Sequence, residues 1–175
     1  MVNKLYKTAF LDRDGVINSK KINKGYIYKV KDFKWIDGAI ETIKYLKSNK
    51  YKVIVVTNQS GVARGYFKIE KIYLLNKFIR HTLRKNKTRL DAILFCPFHK
   101  KGVIKKYTKN SNLRKPDIGM FNLANKKWKV DKKKSFMIGD RSVDMKFAKN
   151  AGIKGYLFKG NNLLKFVQKK IFDKK

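Results

Sequence analysis

The chain has 175 residues, 43% hydrophobic and 13% aromatic, with 45 Lys and Arg against 12 Asp and Glu for a formal charge of +33. That apolar content excludes a disordered tail and predicts one globular domain over 1–175, while no stretch nears the roughly 18 apolar residues of a membrane span. The single cysteine, Cys96, excludes an internal disulfide, and with no leader-like run in Met1 to Leu11 a cytoplasmic protein is expected.

In chain order, the first apolar run of strand length is Thr8 to Leu11, followed directly by Asp12, Asp14 and Gly15. Ser19 to Ile36, rich in Lys, Gly and aromatics, breaks the regular pattern. Asp37 is a candidate N-cap for a helix whose apolar stripe is Ile40, Ile43 and Leu46. A second strand, Val53 to Thr57, leads into Thr57 to Gly65, and Ile69, Ile72, Leu75, Phe78, Ile79 and Leu83 mark a longer helix. Ala92 to Cys96 reads as the third strand, and Phe98 to Leu113 has almost no apolar periodicity. Pro116 is placed to start a helix, and the Lys-rich stretch Lys126 to Lys134 reads as a solvated loop. The fourth strand is Phe136 to Gly139, and Val143, Phe147 and Ala151 form a helix stopped by Gly152. Gly155 to Phe158 and a last helix through Leu164, Val167 and Ile171 close the pattern.

Strand and helix alternating in this way predict an α/β fold, a three-layer Rossmann-like parallel sheet with helices on both faces. The two irregular segments both follow strands and project from one end of the sheet, where open α/β sheets bind ligands.

Acids are scarce here, so their clustering is informative. Four of the 12 fall at two strand ends: Asp12 and Asp14 after the first, Asp140 and Asp144 after the fourth. Residues i and i+2 share one side of an extended backbone, and two close carboxylates need solvation, protonation or a cation. A hard divalent ion with oxygen ligands, Mg2+, suits such a pair, although a turn with capping aspartates would also explain Asp12 and Asp14 alone. If the two strands are neighbours, three carboxylates could surround one cation while Asp144 orients them from behind. Between these motifs, the hydroxyl and backbone N–H groups of Thr57 to Gly61 could hold phosphate oxygens. Arginine adds a second clue. Four of the seven arginines, Arg13, Arg64, Arg114 and Arg141, lie in these motifs, where forked donors suit phosphate.

The 38 lysines, by contrast, are scattered over the whole chain, which reads as compositional habit, with nucleic-acid binding the lesser reading. Either way the surface concentrates anions.

FLDRDG, VVTNQSG, RKP and MIGDRSVD together resemble, in order and over nearly the whole chain, the four motifs of the haloacid dehalogenase superfamily of Mg2+-dependent phosphohydrolases. Within it, FLDRDGVIN, TNQSGVARGYF and RKPDIGMF look most like the D-glycero-D-manno-heptose 1,7-bisphosphate 7-phosphatases, with histidinol-phosphate phosphatases as close kin. The resemblance implies Asp12 as nucleophile and Asp14 as acid and base. It implies Mg2+ held by Asp12, Asp140 and the backbone of Asp14, with Asp144 behind them. Thr57, Asn58 and Lys115 would neutralise the transferring group, and Gln59, Ser60, Arg64, Arg114 and Arg141 would bind substrate. The intervals between motifs are too short for a large cap domain, so a capless, open site is expected, in a monomer acting on a small phosphorylated substrate. A polynucleotide 3′-phosphatase and a basic nucleic-acid-binding protein are the alternatives of another class.

One departure stands out. The family often carries zinc on the loop after the third strand, with Cys-x-His near its start and Cys-x-Cys before RKP. Here Phe98, Ser111 and Leu113 stand where ligands would be, only Cys96 and His99 remain, and zinc is not expected. The loop must then be ordered by packing, with Phe98 or Tyr107 the candidates.

Overall fold

The computed structural model describes residues 4–20 and 25–173. Five strands, β1 (Thr8–Leu11), β2 (Lys52–Asn58), β3 (Ala92–Cys96), β4 (Phe136–Gly139) and β5 (Lys154–Leu157), form one parallel sheet in the order β3-β2-β1-β4-β5. The helices are α1 (Ala39–Ser48), α2 (Ile69–Lys85), α3 (Gly119–Trp128), α4 (Ser142–Ala151) and α5 (Leu163–Val167), the last continuing as a π-helical turn over Gln168–Phe172.

Alternation along the strands separates two cores. Ala9, Leu11, Val53, Val55 and Ile138 pack with Ile43 and Leu46 of α1, Leu75, Ile79 and Leu83 of α2, and Leu163 and Val167 of α5. Phe10, Ile54, Val56 and Met137, one residue out of phase, pack with Met120, Phe121 and Ala124 of α3 and Phe147, Ala148 and Ala151 of α4. A strand buried on both faces reads as a continuous apolar run, which is why these five were visible in the sequence. The chain builds β1, β2 and β3 to one side, then crosses back to lay β4 against β1. The strand order reverses there, and the crevice at the carboxyl ends of β1 and β4 is where such sheets take ligands.

Three boundaries differ from the sequence-based expectation. Helix α1 is entered through Gly38, in the left-handed region at φ 73°, and Asp37 instead uses its carbonyl to accept the Leu163 N–H at 2.8 Å. A side chain at 38 would also crowd the Leu164 backbone, so glycine is required at this crossing. Helix α3 begins at Gly119, three residues beyond Pro116. A turn over 114–117, closed by Asp117 N–H donating to the Arg114 carbonyl at 2.9 Å, intervenes. Strand β5 starts one residue earlier than its apolar run, although Phe158 N–H still donates to the Gly139 carbonyl at 2.8 Å. Among the described residues no helix is long and apolar enough to cross a membrane.

Candidate active site

The first and fourth strands are neighbours, with Leu11 beside Ile138, and Asp12 N–H donates to the Ile138 carbonyl at 2.9 Å. The adjacent carboxyl ends bring Asp12, Asp140 and Asp144 together, with one oxygen from each inside a 4.8 Å span. Such proximity costs too much without cations. One is internal: the Lys115 ammonium, 2% exposed, lies 2.9 Å from Asp12 Oδ1 and 2.6 Å from Asp144 Oδ1, and donates to the Val56 carbonyl at 2.8 Å. Burial alone would discharge this lysine, but the two carboxylates outweigh it and hold the ammonium above the usual lysine range. Burial also pushes the Asp12 carboxyl up, with Lys115 opposing and Asp144 adding to the rise.

A further cation is called for at Asp140. Both of its oxygens are buried and accept no hydrogen bond among the described residues, and the Lys20 ammonium pairs with one of them. Unbonded carboxylate oxygens beside a second carboxylate are the donor set of a hard divalent ion, so these residues fit one. Asp144 is fully buried, bonded to Lys115 through Oδ1 and to the Arg141 N–H through Oδ2 at 3.1 Å. It therefore caps α4 and orients Lys115 at once, so the capping and orienting roles coincide. The absent side chain of Gly139 makes room for it.

Asp14 lines the same cavity of about 650 Å³, but its carboxylate turns toward a set of donors. Arg13 Nη2 reaches both oxygens at 3.0 and 2.9 Å, Asn18 Nδ2 donates to Oδ1 at 2.9 Å, and Gln59 Nε2 donates to Oδ2 at 2.9 Å. Arg13 is fully buried, and its Nη2 also donates to the Ile27 carbonyl at 2.6 Å. The expectation that Arg13 receives phosphate is thus corrected. It fastens Asp14 to the flap instead.

Gln59 and Asn58 also face inward. Gln59 is fully buried and bridges Asp14 to the Thr57 hydroxyl, each at 2.9 Å. Asn58 donates to the Lys115 carbonyl and accepts from the Lys115 N–H, both at 3.0 Å, pinning the end of β2 to the turn that presents Lys115. Thr57, Asn58, Ser60, Arg114, Lys115 and Arg141 line the cavity with Asp12, Asp14 and Asp144, whereas Gln59, Arg64 and Asp140 do not. Sequence reasoning missed Asn18, Lys20 and the Ile27 carbonyl. No period or motif marks them, since their roles exist only once the flap folds back.

Positions 21–24 of the flap lie outside the described residues. The rest is held by aromatic packing: Tyr28 stacks on Phe67 at 4.6 Å between centroids, and Tyr26 lies 5.6 Å from Tyr66 and 5.7 Å from Phe67. The Tyr26 hydroxyl shares a hydrogen bond with Ser60 Oγ at 3.0 Å. The loop after β3 is tied by similar means. Phe98 and Tyr107 pack at 6.1 Å, Lys109 lies 4.4 Å over the Phe98 ring, and the Ala63 carbonyl accepts the N–H groups of Val103 and Ile104 at 2.8 and 3.0 Å. Cys96 is buried, and burial pushes its thiol up, so it is held as a thiol rather than a thiolate.

The comparisons with known proteins agree with this geometry. The model of the polynucleotide kinase 3 phosphatase family matches residues 7–159. A D-glycero-beta-D-manno-heptose-1,7-bisphosphate 7-phosphatase of Rhodopseudomonas palustris is 38% identical over 165 residues, 94% of this chain and 90% of its own. Another from Photorhabdus laumondii is 42% identical over 145 residues, 83% of this chain and 76% of its own. The D,D-heptose 1,7-bisphosphate phosphatase of B. bronchiseptica, solved with magnesium and phosphate, superposes with TM-score 0.78 at 26% identity, covering 93% of this chain and 86% of that one. A HAD-like phosphatase from Mesorhizobium loti superposes with TM-score 0.81 at 32% identity, covering 89% and 74%. The chain belongs to the haloacid dehalogenase superfamily of phosphatases, within the branch that includes the heptose-bisphosphate phosphatases.

Proposed function

We propose that the protein is a magnesium-dependent phosphatase that removes the 7-phosphate of D-glycero-D-manno-heptose 1,7-bisphosphate through an aspartyl-phosphate. The observation that carries the reading is the convergence of Asp12, Asp140 and Lys115 at the β1/β4 crevice. Relatives named for this reaction, 38 and 42% identical over most of the chain, supply the substrate.

Both fixed contacts on Asp12, from the Arg13 N–H at 2.8 Å and from Lys115, fall on Oδ1, which leaves Oδ2 to attack phosphorus. As the bond from Oδ2 to phosphorus forms, the bond to the sugar oxygen breaks, and Asp14 gives its proton to the departing alkoxide. Asp14, now ionised, takes a proton from water as that water attacks the phosphoryl group, which leaves Asp12 free and releases inorganic phosphate. The donors around Asp14 favour its ionised form, the one this second step needs. Magnesium, held by Asp12, Asp140 and the Asp14 backbone, supplies charge neutralisation for the transferring group. Thr57 and Lys115 donate to its oxygens, while Arg114 and Arg141 line the remainder of the cavity and bind the rest of the substrate. The chain acts as a single domain in the cytoplasm.

Phosphate release from the heptose bisphosphate, histidinol phosphate and a 3′-phosphorylated oligonucleotide, each with magnesium and with chelator, tests the reading. The third substrate is included because the matching family model carries a polynucleotide name and the chain a charge of +33. Turnover of the oligonucleotide alone, falling steeply with salt, would replace the sugar assignment.

A further inference from the structure

The His99 ring sits between two groups that can only donate. The Lys101 backbone N–H points at Nδ1 at 3.0 Å, and the Arg64 guanidinium Nη2 faces Nε2 at 3.2 Å. An imidazole cannot accept at both nitrogens unless it is a doubly deprotonated anion, so one of these contacts sets N–H against N–H. The backbone amide has no other conformation to offer. Nδ1 therefore accepts, Nε2 carries the proton, and a donor faces the donor of Arg64.

Two more guanidinium nitrogens nearby lack partners. Arg64 Nε and Arg114 Nη1 are buried and make no hydrogen bond among the described residues. Both arginines act on His99: burial and then the charges of Arg114 and Arg64 hold its pKa below the usual histidine value, which keeps the ring neutral. Three side chains thus present at least four donor nitrogens with no acceptor between them. Buried donors left in this way mark the seat of an anion.

We propose that Arg64, His99 and Arg114 form a second phosphate seat, which holds the phosphoryl group of the substrate that is not transferred. An oxygen between His99 Nε2 and Arg64 Nη2 would accept from both, replacing the N–H against N–H contact with two good bonds. The assignment rests on the bisphosphate reading above and adds to it a role for the histidine of a loop that relatives often use for zinc. It also explains the tie between loops: the Ala63 carbonyl, beside Arg64, accepts from Val103 and Ile104, fixing the distance between Arg64 and the His99 segment.

Nitrogen-detected NMR of the His99 ring, in the full chain titrated with inorganic phosphate, is the direct test. The Nε2–H tautomer is expected in the free protein, with a phosphate-dependent shift at Nε2 and a rise in the His99 pKa. A Nδ1–H tautomer, or a ring indifferent to phosphate, would overturn the seat. Kinetics give a second measurement, because a charged hydrogen bond is worth about tenfold or more in affinity. His99→Ala should lower the ratio of kcat/KM for a bisphosphorylated sugar over p-nitrophenyl phosphate by about tenfold, through KM, and His99→Gln should recover part of it. A parallel fall with both substrates, unrelieved by Gln, would reduce His99 to a structural part of the loop. If the heptose bisphosphate is not turned over while another bisphosphorylated sugar shows this His99-dependent KM, the substrate assignment fails and the seat stands.

Discussion

Lys115 and Asp144 meet at 2.6 Å, with 2 and 0% of their side chains exposed, in the floor of the site. The same ammonium reaches Asp12, so a single lysine joins the group that attacks to the group that caps α4. Lys115→Met would leave two buried carboxylates facing each other. Removing one partner of a buried pair costs about 3–5 kcal/mol, so a large drop in Tm is expected together with loss of phosphatase activity. Thermal unfolding with and without magnesium measures it. A variant as stable as the parent would mean that Lys115 is not the counterion of this cluster.

Asp12→Asn keeps the shape but removes the nucleophile. A loss of several kcal/mol from transition-state stabilisation is expected, at about 1.36 kcal/mol per tenfold in rate, and hence about a thousandfold or more in kcat. Rapid quenching with mass spectrometry should find a phosphorylated Asp12 peptide in the parent and none in the variant. An active Asn variant would rule out the covalent route.

Gln59→Leu leaves the cavity lining intact and cuts the bridge between Asp14 and Thr57. Loss of such an outer partner lowers activity by about 10- to 100-fold. The fall should appear in kcat more than in KM for a chromogenic monoester, since the substrate contacts remain. An equal rise in KM would place Gln59 on the substrate instead.

Gly139→Ala changes no charge, yet its new methyl group would overlap the Asp144 side chain. Asp144 would shift from Lys115 and from the N-terminus of α4. Overpacking costs about 1–3 kcal/mol, and activity should fall further than stability does. Comparing Tm with kcat/KM for the variant decides whether the geometry of Asp144 matters beyond the fold.

Asp91 offers a test of acid stability far from the chemistry. Burial works against its charge, but bonds from Lys47 at 2.7 Å and the Val53 N–H at 2.8 Å outweigh it and hold the carboxyl below 3.8, its ordinary value. A lowered pKa gives stability that is fully present above 3.8 and is lost as pH falls through the folded-state value. Asp91→Asn should therefore destabilise by about 1–2 kcal/mol at neutral pH. The gap from the parent should narrow only once the pH drops below 3.8. Unfolding curves from pH 7 down to the acid limit would show it.

Much of this was legible in the sequence, and the reason is chemical scarcity. Acids are rare in the chain, so Asp12, Asp140 and Asp144 at strand ends stood out, and parallel strands left β1, β2, β3 and β4 as plain apolar runs. Direction was not legible. Arg13, Asn58 and Gln59 sit in motifs that invite a phosphate reading, yet they turn inward because Asp14, Lys115 and Thr57 must be held before any ligand arrives. Gly38 replaced Asp37 at the start of α1 because the crossing chain of α5 leaves no room for a side chain there. His99 was dismissed for want of metal partners, since its donors come from Lys101 and from Arg64, 35 residues earlier in the chain.

The Ala63 carbonyl takes N–H groups from both Val103 and Ile104, at 2.8 and 3.0 Å. A lone oxygen acting as a double rivet makes the strip after β2 and the long insertion after β3 shift as a unit. Any mutation that tugs one of them will be felt by the other, so the selectivity of this enzyme cannot be retuned by grafting either strip alone from a relative. Both would have to be transplanted together.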